Sequence, residues 1–238
     1  MGFETSSAEV APRSDENAGA SVRMADQAYG LMRRRILDNE WPPGYQATEQ
    51  EAADQMGMSR TPIREAFHRL QQEGLVTVVP RHGARVLPVS STDMREIYAI
   101  LTSLESTAAE LVAQRGLSSD ALQPLEEATA AMDDALNRDD LKAWAAADER
   151  FHACLLDLCG NRLLKGVVLN FWDRAHRARM VTLRLRPKPY DSTHEHSELV
   201  DAIRRGDAAA ARDMQRAHRE RAGTELLKLL ELLGLDRL

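Results

Sequence analysis

The stretch "SRTPIREAFHRLQQEGLV", residues 59–76, decides how this chain folds. Ile63, Ala66, Phe67 and Leu70 recur at three- and four-residue intervals, so they share one face of a helix. Arg60, Thr61 and Arg64 cluster at its start. Pro62 suits the first turn, where a missing N–H costs nothing, and Gly74 ends the helix. Just upstream, "ATEQEAADQMGM" (47–58) has Thr48 with Glu51 three residues on, a capping box that starts a short second helix. That helix runs to about Met56, with Gly57 available for a left-handed C-cap. Further upstream, Ala28, Leu31, Met32 and Leu37 fit a helix from Ala25 to Leu37, which "EWPPGYQ" (40–46) stops. Downstream, "LVTVVPRHGARVLPV" (75–89) alternates and is β-branched, with a turn at "PRHG" (80–83), and reads as a two-stranded hairpin. Helix, helix, turn, helix and hairpin together make a winged helix-turn-helix.

Charge agrees with a nucleic-acid role for this segment. The 238 residues carry 31 Lys and Arg against 37 Asp and Glu, a net of −6. Residues 23–90 reverse the sign, with nine arginines, no lysine and eight acids. Arginine forks match phosphate and guanine. Helix-turn-helix proteins point the start of the second helix of the motif into the major groove. That places Arg64 for a bidentate contact to guanine, with Arg60 beside it at the DNA-facing end, while the Ser59 and Thr61 hydroxyls and the backbone N–H groups at the helix start suit phosphates. Residues 1–22, rich in Ser, Ala, Glu and Asp without periodicity, read as a disordered tail.

After Pro88 everything reads helical: about 91–115, 119–138, 140–159, 161–184, 189–205 and 207–233, with breaks at Gly116, 137–139, 160–161, "RPKP" (186–189) and Gly206. Six helices with short connections form a compact bundle. The fold expected is therefore mainly α: a tail (1–22), a winged helix-turn-helix (23–88) and an all-helical domain (89–238). Cys154 and Cys159 are poorly spaced for a bridge and read as small apolar residues. No apolar run reaches membrane-spanning length and no secretion signal opens the chain, so a cytoplasmic protein with no membrane partner is expected. The leucine-rich "ELLKLLELLGL" (225–235) reads as a core helix rather than a dimer seam.

"DERFH" (148–152) puts Asp148 and His152 four residues apart on one helix face, beside Phe151 and Leu155. From spacing alone this is a structural hydrogen bond, half of a metal site or an acid/base pair. His196 shares a face with Leu199, Val200 and Ile203, and His218 one with Met214, so both point inward. His194, two residues before His196, falls on another side of its helix and reads as exposed or as a residue behind the ligands rather than one of them.

The first segment, on "SRTPIREAFHRLQQEGLV" with "ATEQEAADQMGM" and "PRHGARV" around it, resembles the winged-helix domain of GntR-family bacterial transcription regulators over residues 25–88. The resemblance implies that the wing tip, Arg81, His82 and Gly83, reaches the minor groove, and that Pro62 belongs to the same DNA-binding motif. Arg34 on the first helix is a candidate phosphate contact. Gln50 stands where that family often has arginine, which puts one contact in question. Residues 90–232 resemble, more loosely, the effector domain of the FadR-type subfamily called FCD. Its metal pattern, Asp-x3-His followed by two later histidines, falls on Asp148, His152, His196 and His218. One cation satisfies four inward polar groups that would otherwise each need a buried partner. Three imidazoles and a carboxylate suit zinc first, then nickel, cobalt or manganese. Leu101 replaces an arginine that many relatives carry in "EIYAILTSLE" (96–105), leaving Arg174, Arg177 and Arg179 as candidate effector anchors.

The resemblance implies a homodimer on a pseudo-palindromic double-stranded operator, controlled by a small metabolite, an organic acid by family habit. The expected function is a ligand-responsive repressor of a catabolic operon, not an enzyme. "HEHSE" is not HExxH, and no general acid or base stands at a recognisable spacing. Two alternatives stay open: a direct metal sensor, and a metal-dependent enzyme carrying a DNA-binding domain.

Overall fold

The computed structural model of the chain describes residues 14–232, with side chains from residue 23 on. Among these residues the order is α1 (Ser14–Leu37), β1 (Gln46–Ala47), α2 (Glu49–Met56), α3 (Arg60–Gln72), β2 (Val76–Val79), β3 (Gly83–Val86), then α4 (Ser91–Gln114), α5 (Ser119–Asn137), α6 (Leu141–Leu158), α7 (Arg162–Thr182), α8 (Tyr190–Arg204) and α9 (Ala208–Leu232). The mainly helical class expected from periodicity is the one found.

The head is built as its capping signals dictate. Thr48 accepts from the Glu51 N–H while the Glu51 carboxylate takes the Thr48 N–H, a reciprocal box. Gly57 closes α2 at φ 64, a left-handed conformation that costs glycine nothing. Ile63, Ala66, Phe67 and Leu70 of α3 pack with Ala28, Met32 and Ile36 of α1 and with Val76, Ala84 and Val86 of the sheet in one small core. The sheet differs from the expected hairpin. Besides β2 pairing antiparallel with β3, β1 adds a third strand in the order β1-β3-β2, with Gln46 opposite Arg85 and Ala47 opposite Ala84. Two residues give periodicity nothing to register, and pairing alone reveals the strand. β1 runs so close to the wing that any Cβ at Gly83 would strike the Ala47 backbone oxygen.

The expectation for residues 1–22 divides. Residues 1–13 lie outside those described, whereas Ser14 opens α1, so the first helix begins eleven residues before Ala25. "SDENAGASVR" lacks an apolar stripe but holds no proline, and acids in the first turn favour a helix N-terminus.

Helices α4–α9 enclose a second core, to which Phe151, Leu155, Leu199, Ile203, Leu226 and Leu230 contribute. Their bounds fall within three residues of those read from sequence. The leucine-rich end joins this core through Leu226 and Leu230, while residues 233–238 lie outside those described. Cys159 is buried and Cys154 partly so, both free thiols. No helix among the described residues is long and apolar enough to cross a membrane.

α7 joins the two cores. Asp173 pairs with Arg33 of α1, Arg174 pairs with Asp93 of α4 and lies against Gly74, and Arg177 Nη1 donates to the Leu87 carbonyl at 2.5 Å. The connection between head and bundle is thereby held from one helix.

Candidate functional site

Two sites stand out, one on each core. On the head, Arg60, Thr61 and Arg64 are exposed on α3 opposite its apolar face. Ser59 is the N-cap by backbone geometry, but its exposed hydroxyl makes no capping hydrogen bond. Pro62 is buried. It shapes the first turn of α3 and offers no surface to a ligand, which corrects its place among the contact residues. Gln50 is exposed and donates to Asp54 at 2.8 Å; Arg34 is exposed on α1. The wing tip is a tight turn in which the His82 N–H meets the Val79 carbonyl at 2.9 Å. Arg81 adopts φ 64 and projects with His82 into solvent. Between α2, α3 and the wing lies a groove of about 620 Å³ that Gln50, Arg60, Arg64, His68 and Arg81 help to line.

Sequence periodicity did not single out the residue at the floor of that groove. Glu49, first in α2, takes Arg64 Nε and Nη2 at 2.7 Å each and Arg60 Nη2 at 3.2 Å. The Arg64 hydrogen bonds, with Arg60 behind them, outweigh a modest burial and hold its carboxyl at about 2. It remains a carboxylate at every physiological pH.

In the bundle, His152 of α6, His196 of α8 and His218 of α9 bring one ring nitrogen each to within 4.8 Å of one another. Their side chains are almost wholly buried. The Nε2 atoms of His152 and His196 are 3.3 Å apart. Asp148 Oδ1 lies 3.6 Å from the first and 3.9 Å from the second. The four residues picked out in the sequence therefore converge, with the carboxylate at the edge. His194 points away and is 75% exposed, beside Glu198.

Around this cluster stands a shell of charge. Glu195 accepts from His218 Nδ1 at 2.7 Å and is itself held by Arg221. Glu105 Oε2 lies 3.1 Å from His152 Nδ1, an ion-pair distance without hydrogen-bond alignment, and is gripped by Arg219 and Gln215. Burial pushes the Glu105 carboxyl up, but Arg219 and His152 overcome this and hold it at about 2. Burial likewise raises Asp148, and His152 and Arg179 outweigh it, leaving a carboxylate well below the usual range. Burial, then His218 and His152, push His196 far below its ordinary value, and burial lowers His218 despite Glu195. Imidazoles turned toward one point are what a divalent transition metal takes. The partners on the far nitrogens of His152 and His218 match the carboxylates that orient metal-bound imidazoles. The residues present fit such an ion. Among the described residues, His152 Nδ1 and His196 Nδ1 are both buried without a hydrogen-bond partner.

The three candidate anchors separate. Arg179 lies half-buried beside the cluster, with Nη1 3.5 Å from Asp148 Oδ2 and its guanidinium over the Trp172 ring. Arg174 and Arg177 turn toward the head instead. Leu101 is buried in the core, and Glu105, one turn further along α4, brings an acid to the centre. A lone acid on the apolar face of α4 was the signal that could have found it.

A winged-helix head on an all-helical domain with an inward histidine cluster is the architecture of a ligand-responsive DNA-binding regulator. The comparisons agree. Residues 24–86 match the bacterial regulatory proteins of the gntR family, and residues 96–221 match the FCD domain. The chain belongs to the GntR family, in the branch with an FCD effector domain, and is a transcription regulator rather than an enzyme. It is 45% identical over 153 residues to an uncharacterized HTH-type transcriptional regulator in the TAR-I ttuE-ttuC' intergenic region of Agrobacterium vitis, covering 62% of this chain and 90% of that one. It is 28% identical over 191 residues to a "Probable D-xylose utilization operon transcriptional repressor" of Paenarthrobacter nicotinovorans, covering 79% and 82%. The solved structure of E. coli McbR/YncC shares the fold, with a TM-score of 0.75 at 20% identity over 87% of this chain and 98% of that one.

Proposed function

We propose that this regulator is a cytoplasmic homodimer that represses a catabolic operon and releases its operator when an organic acid binds the helical domain. The winged helix-turn-helix spans about residues 23–88 and the metal- and effector-binding domain follows it. Arg64 reads guanine; Arg60, Ser59, Thr61 and Arg34 hold phosphates; Arg81 and His82 carry the wing into the minor groove. A repressor is the reading that the D-xylose relative's name supports.

His152, His196 and His218, with Asp148, would hold one divalent cation, zinc first and nickel, cobalt or manganese after it. The observation that carries this is the convergence of three buried imidazoles within 4.8 Å. When bound there, the ion supplies a Lewis-acidic charge with room for an oxygen ligand. Glu195 and Glu105 orient the imidazoles, and Arg179 offers a guanidinium to an incoming carboxylate beside Asp148. α7 carries Arg179 at the centre and Asp173, Arg174 and Arg177 at the head, so a shift of this helix reaches both. An acid moves the equilibrium only by binding one arrangement more tightly than the other.

The test is in-vitro selection of the operator followed by binding of Arg60→Ala and Arg64→Ala. A pseudo-palindrome bound by two protomers is expected, with Arg64→Ala losing about 1–3 kcal/mol and relaxing one base per half-site. Asymmetric sites occupied by one protomer, or variants that bind like the wild type, would overturn the reading.

A further inference from the structure

We propose that Glu49 is a positioning residue that sets how strictly Arg64 discriminates between bases. This rests on the DNA-reading role proposed above for α3. A guanidinium is a planar fork with five N–H donors. Glu49 occupies one edge of the Arg64 fork, Nε and Nη2, at 2.7 Å each. Nη1 and the second hydrogen of Nη2 remain, and they form the edge that takes guanine O6 and N7 together. Arg64 can therefore keep Glu49 and read a base at the same time. A side chain fixed before DNA arrives loses less freedom on binding.

The same carboxylate restrains indiscriminate binding. Phosphate accepts from any edge of a guanidinium and carries no sequence information. With Glu49 ionised, the Glu49, Arg60 and Arg64 trio carries a net charge of +1 rather than +2. The guanidiniums face outward, at 58% and 55% exposed, while the carboxylate behind them is 23% exposed. The groove thus presents donors already aimed, with half their charge balanced from behind. The competing account is that Glu49 only complements the N-terminal dipole of α2. Glu51 already caps that helix, and the dipole does not require contact with either arginine.

The experiment uses the full chain on the selected operator and on a scrambled duplex of equal length, across several salt concentrations. Wild type, Glu49→Gln, Glu49→Asp and Arg64→Ala are compared. Glu49→Gln keeps the shape and removes the charge and one acceptor. Its scrambled-duplex affinity should rise about three- to tenfold, with a salt slope steeper by about one counterion. Its operator-to-scrambled ratio should fall on the order of tenfold, with guanine preference relaxed at a single position. Glu49→Asp keeps the charge but shortens the reach, so it should retain weak scrambled binding and recover only part of the ratio. An unchanged ratio in Glu49→Gln, while Arg64→Ala loses the operator, overturns the proposal and leaves a helix-start role. Should Glu49→Gln fail to fold by circular dichroism, an Asp variant with the wild-type ratio overturns it equally. Arg64→Ala binding the operator normally would instead sink the assignment of α3 itself.

Discussion

Arg179 of α7 stands 3.5 Å from Asp148 of α6, and it is there that the buried histidine cluster meets the helix that also holds the DNA-binding head. Two turns earlier on α7, Asp173 grips α1 through Arg33. The centre and the head are thus tied to one rigid element, which supplies a physical route for coupling without a chain of intermediaries.

Arg177 tests that route. It is buried, among the described residues only its Nη1 finds a partner, and burial lowers its pKa to about 10. A buried cation with one backbone acceptor is a poor contributor to stability. Arg177→Met should keep or raise the melting temperature while weakening effector-driven operator release. Calorimetry beside an operator-release titration checks both, and normal release in the variant removes Arg177 from the route.

Metal content follows from the cluster. Purified protein should carry about one divalent ion per chain, because a site formed only in the native state links binding to folding. His196→Ala and His218→Ala should each lose the ion and melt at lower temperature. Asp148→Ala, at the edge, should lose less. Elemental analysis after reconstitution decides; a wild type without metal would return the histidines to a purely structural role.

The Glu105–Arg219 pair is expected to be the costliest to break. Both side chains are fully buried, and the contacts are 2.5–2.8 Å. Removing one partner strands the other charge, a loss of about 3–5 kcal/mol. Denaturant titration of Glu105→Ala should show this; a loss below about 1 kcal/mol would mean that water or rearrangement satisfies Arg219.

Much of this was legible in the sequence, for identifiable reasons. The Thr48–Glu51 box and Gly57 are local chemistry, so the ends of α2 could be read directly. The Asp148–His152 spacing and the apolar neighbours of His196 and His218 gave inward faces, which the fold then brought together. Glu105, Glu195 and Arg219 escaped because a charge on a helix shows its partner only in three dimensions. Arg174, Arg177 and Arg179 looked equivalent on one helix, yet a few residues of rotation send two of them to the head and one to the centre. β1 was too short to carry a period.

Glu49 gives a pH prediction. Its carboxyl sits at about 2 against an ordinary 4.5, so the pairing contributes fully above about pH 4.5 and is lost as pH falls through about 2. At pH 3.5 an ordinary glutamate is about nine-tenths protonated, whereas Glu49 should remain ionised. Side-chain NMR of the wild type and of the Arg60→Ala, Arg64→Ala double variant reads this directly. The double variant should titrate near the ordinary value, and identical midpoints would show that the arginines do not hold it.

The most direct test of the regulator as a whole is operator release followed while small hydroxy and dicarboxylic acids are titrated into wild-type, metal-stripped and His218→Ala protein. An acid that releases the wild type should fail, or act only at about 100-fold higher concentration, on the other two, a coupling of roughly 2.7 kcal/mol. Stripped protein that stays folded and releases its operator at the wild-type concentration would contradict a metal-centred effector site.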